Sequence, residues 1–193
     1  MAKLYFRYGA MGCGKTAQLL QVAFNYKERD MSVAVMKPKL DTKAGDRLQT
    51  RIGLEREIDY LIEENDDIYS IVSNKFKNVN CILVDEAQFL KRNQIDDLMK
   101  IVVKLDIPVI CYGIRTDFLT HGFTGSTRLL EIAHSIEELK TICKCGKKAM
   151  LNARYKNGKI VTEGESIVID KSCDDIEYIA LCPVCYSNEI EKK

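Results

Sequence analysis

The chain has no tryptophan, three prolines and only two histidines, His121 and His134, among its 193 residues. With so few histidines, a Ser/His/Asp triad or a multi-histidine metal site is poorly supplied. Charge of neither sign prevails. The 29 Lys+Arg against 28 Asp+Glu give a formal net charge of +1, so no global positive excess points to nucleic acid or to an anionic membrane. No run approaches the roughly 18 apolar residues of a membrane span. The first twelve residues lack the apolar stretch of a secretory leader, and no internal repeat or Ser/Pro-rich linker is visible. The expected setting is therefore the reducing cytoplasm. The length suits one full domain with a small appended lobe and is too short for a two-domain motor. An apolar fraction of 46% and a charged fraction of 30% are those of a folded globular chain.

Cysteine, by contrast, is abundant, with eight residues. Cys13, Cys81 and Cys111 are scattered, whereas Cys143, Cys145, Cys173, Cys182 and Cys185 crowd the C-terminal part. In a reducing compartment clustered cysteines more often bind metal than pair as disulfides. Cys81 and Cys111 lie inside apolar runs and are expected as buried thiols.

Those runs, at Leu4-Tyr5-Phe6, Val33 to Met36, Cys81 to Val84 and Ile107 to Tyr112, suit strands buried on both faces of a parallel sheet. Between them, Leu19, Leu20, Ala23, Phe24 and Lys27 recur near a 3.6 period over Thr16 to Arg29. Leu98, Met99, Val102 and Val103 do so over Ile95 to Leu105. Alternating strands and helices predict an α/β fold of crossover units, and the G-x-x-x-x-G-K-[ST] match at Gly9 to Thr16 makes the parallel sheet over residues 1–140 one of P-loop NTPase type, with a smaller cysteine-bearing lobe over 141–193. Segments 41–57 and 113–127 read as loops at the sheet edge, where α/β proteins bind ligands.

Gly9-Ala10-Met11-Gly12-Cys13-Gly14-Lys15-Thr16 fits the G-x-x-x-x-G-K-[ST] pattern and stands between a strand and a helix, as the pattern requires. The glycines let backbone N–H groups curl around an anion, the helix N-terminus adds its field, Lys15 supplies a full charge to the β/γ phosphates, and Thr16 can coordinate magnesium. A second element agrees. The Cys81–Val84 strand ends in Asp85-Glu86-Ala87-Gln88, placing two carboxylates on the same sheet edge, Asp85 for the magnesium shell and Glu86 free to act on a nucleophile. These features predict a protein that binds a nucleoside triphosphate and transfers or hydrolyses its phosphate.

At this point the chain resembles the bacterial type II thymidine kinases, through YFRYGAMGCGKT (residues 5–16), FNYKERDM (24–31), RIGLER (51–56), LVDEAQFL (83–90), PVICYGIRTDF (108–118), GSTRLLEIAHSIEELKTICKCGKKA (125–149) and CPVCY (182–186). The resemblance implies transfer of the γ-phosphate of ATP to the 5′-hydroxyl of thymidine, with deoxyuridine as a second substrate and Mg2+ accompanying ATP. It makes Glu86 the catalytic base and places Met11, Asp41, Ile114, Phe118, Phe123 and Tyr178 around the nucleoside, Tyr178 on a long lasso loop. Phenylalanines can stack on a planar base and Asp41 can accept from a sugar hydroxyl. The resemblance also implies a structural Zn2+, for which Cys143, Cys145, Cys182 and Cys185 are favoured and Cys173 is the rival fourth ligand. The C-x-C spacing at Cys143 is like that of the enterobacterial members, which tend to have histidine where Cys185 stands. Feedback by dTTP and a homotetramer are implied as well.

The chain departs from the family pattern in three places. Ile169 to Tyr178 lacks the Gly-Gly pair usual before the lasso tyrosine, Lys43 stands where arginine is frequent, and Gly12-Cys13 differs within the phosphate loop. Two other readings compete. One is an ATP-driven nucleic-acid-binding P-loop protein with a zinc ribbon, and the other is a degenerate nucleotide-binding regulator. The first is weakened by charge, since residues 140–193 hold ten Lys+Arg and eight Asp+Glu. Neither a membrane nor a nucleic acid is an expected partner.

Overall fold

A computed structural model of the chain describes residues 1–39, 47–166 and 176–192. Its elements run β1 (Leu4–Tyr8), α1 (Lys15–Lys27), β2 (Val33–Pro38), β3 (Arg47–Gln49), β4 (Glu55–Glu57), β5 (Tyr60–Ile62), α2 (Ile68–Lys75) and β6 (Cys81–Val84). A short 3-10 turn at Ala87–Phe89 follows, then α3 (Arg92–Leu105), β7 (Val109–Gly113), α4 (Thr124–Ile132) and β8 (Ser135–Glu138). The C-terminal part holds β9 (Thr141–Ile142), β10 (Lys148–Ala149), β11 (Leu151–Lys156), β12 (Lys159–Ile160), β13 (Ile176–Leu181) and α5 (Pro183–Glu191).

Six strands form one sheet in the order β5-β2-β6-β7-β1-β8, and every neighbouring pair is parallel. Because side chains alternate across a strand, a continuous apolar run feeds two cores at once. Ala34, Met36, Ile82 and Val84 face α2, α3 and α4, while Val35, Cys81 and Leu83 face α1. Each fully buried aliphatic side chain contributes about 1.5–3 kcal/mol. The thiols of Cys81 and Cys111 are fully buried, and burial pushes Cys81 up to about 11 and Cys111 higher still, so neither is a nucleophile near neutrality.

Two details of the helical reading change. Phe24 and Val103, which the periodicity turns toward the core, are 54% and 60% exposed, and Ile101 takes the buried place on α3. Each helix meets the sheet along a stripe narrower than its apolar pattern. Segment 41–57 also carries structure, a small antiparallel hairpin of β3 and β4 whose Leu48 is buried against the α1 core. A three-residue strand with one apolar side chain leaves no periodic signal to read.

After β8 the topology turns antiparallel. β9 pairs with β10, β12-β11-β13 forms a three-stranded sheet, and a separate small core gathers Cys143, Ala149, Ala153, Ile160, Leu181 and Cys182. No described helix is long and apolar enough to cross a membrane.

Candidate functional site

All six strands of the large sheet run the same way, so the loops after β1, β6 and β7 emerge at one edge. The registers Phe6↔Cys111 and Val84↔Cys111 put Phe6 of β1 and the end of β6 level on either side of β7, and β1 runs two residues further to Tyr8. Three segments distant in sequence thereby converge: Gly9–Thr16, Asp85–Gln88, and the stretch from Ile114 to Phe123.

In the phosphate loop Gly12 and Gly14 adopt φ of 77° and 82°, a left-handed conformation that costs glycine nothing and lets the chain fold into a cradle ahead of α1. Lys15 Nζ donates to the carbonyls of Gly9 and Ala10 at 3.1 and 3.0 Å and lies 3.6 Å from Cys13 Sγ, so its charge sits inside the loop. The loop is tied across the molecule where Met11 N–H donates to Asn152 Oδ1 at 2.7 Å.

Thr16 Oγ1 donates to Asp85 Oδ2 at 3.1 Å, joining the start of α1 to the end of β6. Burial, with the neighbouring Glu86 carboxylate, pushes Asp85 up to about 6. A divalent cation seated between this carboxylate and the Thr16 hydroxyl would restore the ionised form, and the hard oxygen donors suit magnesium. Glu86 holds a left-handed φ of 51°, unusual for a residue with a side chain and typical of functional positions held by their surroundings. Its N–H donates to Asp85 Oδ1 at 3.0 Å.

Gln88 explains how Glu86 is aimed. The buried amide accepts from Ile114 N–H through Oε1 at 3.2 Å, which fixes its orientation, and therefore donates through Nε2 to Glu86 Oε2 at 2.5 Å. Gln88 and Ala87 are buried, at 2% and 0% exposure, and Gly125 at the start of α4 packs on their backbone. A Cβ at Gly125 would stand 2.4 Å from the Ala87 carbonyl oxygen. Ala87 and Gln88, expected with Asp85 and Glu86 among the ATP and magnesium contacts, form the buried turn that supports Glu86.

The remaining nucleoside candidates divide. Ile114 adjoins Gln88, and its carbonyl accepts from Ser126 Oγ at 2.6 Å. Phe118 is buried and its carbonyl accepts from the Tyr186 hydroxyl at 2.6 Å, while Phe123 meets Phe89 edge to face with centroids 5.5 Å apart. Tyr178, expected on a loop, lies in β13 opposite Arg154 of β11. Asp41, Lys43 and Cys173 fall outside the described residues. The residue the sequence reading passed over is Arg154, a buried cation in a chain rich in surface Lys and Arg, which no local pattern distinguishes.

The sulfur atoms of Cys143, Cys145, Cys182 and Cys185 all lie within 4.8 Å of one another, and those of Cys145 and Cys182 are 3.6 Å apart. Four sulfurs at about 2.3 Å from a zinc ion stand roughly 3.8 Å from each other, so the quartet can hold such an ion. The β9–β10 turn supplies the first pair, and the start of α5, with Pro183 in its first turn, supplies the second. Backbone N–H groups, that of Cys145 foremost, bring Cys143 down to about 6, whereas the three neighbouring sulfurs push Cys185 up to about 12. Four thiolates cannot share this volume without a cation.

His134 Nδ1 accepts the Leu4 N–H at 3.0 Å at the start of β1, and His121, in the turn after β7, has an exposed ring 3.9 Å from the Asp117 carboxylate.

A family model described as thymidine kinase matches residues 2–186. A thymidine kinase of Enterobacteria phage T4 is 45% identical over 197 residues, covering 100% of this chain and 99% of that protein. One from Francisella tularensis subsp. holarctica is 42% identical over 188 residues, covering 94% and 95%. Another, from Pasteurella multocida, is 42% identical over 193 residues, covering 98% and 99%.

Proposed function

The chain belongs to the thymidine kinase family, and from that premise we propose that it transfers the γ-phosphate of ATP to the 5′-hydroxyl of thymidine with Glu86 as general base. The observation that carries the assignment to this edge is Gln88. Its one amide touches the Glu86 carboxylate and the Ile114 backbone, so the base is held beside the segment that follows β7.

The loop N–H groups and Lys15 hold the triphosphate, and Thr16 and Asp85 hold the magnesium that accompanies it, whose charge offsets that developing on the transferred group. Glu86 takes the hydroxyl proton as the nucleoside oxygen bonds to Pγ, and the bond from Pγ to the bridging oxygen breaks, releasing ADP. Met11, Asp41, Ile114, Phe118, Phe123 and Tyr178 enclose the nucleoside. The zinc held by Cys143, Cys145, Cys182 and Cys185 fixes the small sheets and takes no part in the chemistry. The working setting is the cytoplasm, the assembly a homotetramer, and dTTP the feedback ligand.

The test is transfer of label from γ-32P ATP across a panel of nucleosides, with and without dTTP. Labelled thymidine and deoxyuridine monophosphates, suppressed by dTTP, are expected. Release of labelled phosphate without a labelled nucleotide would overturn the assignment.

A further inference from the structure

Arg154 stands in the middle of β11 with 3% of its surface exposed. Its guanidinium carbon lies 3.6 Å from the centroid of the Phe118 ring and 5.3 Å from that of Tyr178. Every branch of the group is used. Nε donates to the Tyr178 hydroxyl at 2.7 Å, Nη1 to the Glu165 carbonyl at 2.8 Å and Nη2 to the Ser166 carbonyl at 2.9 Å. Ser166 Oγ in turn donates to Asp117 Oδ2 at 2.6 Å, and the other oxygen of that buried carboxylate receives the N–H groups of Leu119 and His121. The turn that carries Phe118 is therefore knotted to Glu165 and Ser166 through two routes, one passing through Arg154 and one through Asp117.

The partners that Arg154 finds among the described residues are a ring face, a phenol oxygen and two carbonyls, none of them a carboxylate. Burying a cation on such terms costs stability that an apolar side chain of similar length would not. What the planar fork supplies instead is geometry. It stacks on one aromatic ring while its edges fix a second residue and a chain segment, which neither methionine nor the point charge of lysine can do.

We propose that Arg154 is a positioning residue of the nucleoside pocket, setting the spacing between Phe118 and Tyr178 and locking Glu165 and Ser166 against them, and so governing nucleoside affinity without touching the ATP side. The proposal rests on the reading that Phe118 and Tyr178 line that pocket.

Steady-state kinetics of Arg154→Met, Arg154→Lys and Phe118→Ala in the full chain, with both substrates varied, test it. Arg154→Met is expected to raise the thymidine KM at least about tenfold, with the ATP KM within about twofold and kcat within about threefold. Arg154→Lys is expected to recover less than half of that rise on a logarithmic scale, because lysine keeps the charge and loses the fork. An unchanged thymidine KM in Arg154→Met, or equal losses on both substrates, overturns the proposal. Should the methionine variant not fold, the lysine variant decides alone, at about threefold or more on thymidine against no change on ATP. Phe118→Ala separates the two ideas. If it leaves the thymidine KM unchanged, the pocket has been misplaced. If it raises that KM and the Arg154 variants do not, the pocket stands and the positioning role falls.

Discussion

The phosphate loop and the proposed nucleoside end of this site are built by different means. At the phosphate end one loop of eight residues curls its own backbone, and glycine φ angles, a helix N-terminus and a lysine two residues from Cys13 are all local consequences of sequence. The proposed nucleoside wall has no such unit. Phe118 comes from the turn after β7, Arg154 from β11, Tyr178 from β13, and Asn152 reaches back from β11 to Met11. One end is a motif and the other a packing solution, joined by Gln88. The two ends should accordingly fail separately, and variants can be ranked by how sharply they separate them.

The largest effect is expected at the junction. Glu86→Gln keeps the shape of the side chain and removes its basicity, so kcat is expected to fall about 10²–10⁴-fold with ATP affinity within about twofold. A loss below about threefold would remove Glu86 from the chemistry. Next comes Lys15→Met, which withdraws charge from the phosphate end alone. At least about tenfold lower kcat/KM for ATP is expected, with thymidine binding, measured by calorimetry without nucleotide, within about twofold. Equal weakening of both ligands would show that the ends are not independent.

Gly125→Ala strikes the support beneath Glu86. The added Cβ would meet the Ala87 carbonyl oxygen at 2.4 Å and that of Leu90 at 2.8 Å, so a loss of about 1–3 kcal/mol in denaturant stability is expected, with a lowered kcat. A variant as stable as the parent would show that the approach of α4 to this turn is not tight. The smallest effect belongs to Val103→Lys, on the exposed side of α3, where stability is expected to change by no more than about 0.5 kcal/mol. A loss of several kcal/mol there would mean that this face is covered.

The same contrast explains what could be read from the sequence. The phosphate loop, the Asp85-Glu86 pair and the cysteine quartet announce themselves because residue types at short fixed spacing carry their chemistry. The sheet strands do so because burial on both faces leaves unbroken apolar runs. Arg154 is invisible because its meaning lies in partners from 11 to 36 residues away. The support that Gln88 gives Glu86 is not legible in the sequence, since only the Ile114 N–H reveals which way its amide points. Phe24 and Val103 misled because helical periodicity marks an apolar stripe and not its breadth, and the hairpin of β3 and β4 is too short to show a period at all.

The separate construction of the two ends is tested most directly by stripping metal from the cysteine quartet with a chelator and titrating the protein with ATP and with thymidine in parallel by calorimetry. The quartet belongs to the small core built on β11 and β13, the strands that carry Arg154 and Tyr178, and the phosphate loop to the large sheet. ATP affinity within about twofold and thymidine affinity at least about tenfold weaker are expected. Equal loss of both, or of neither, would contradict the account.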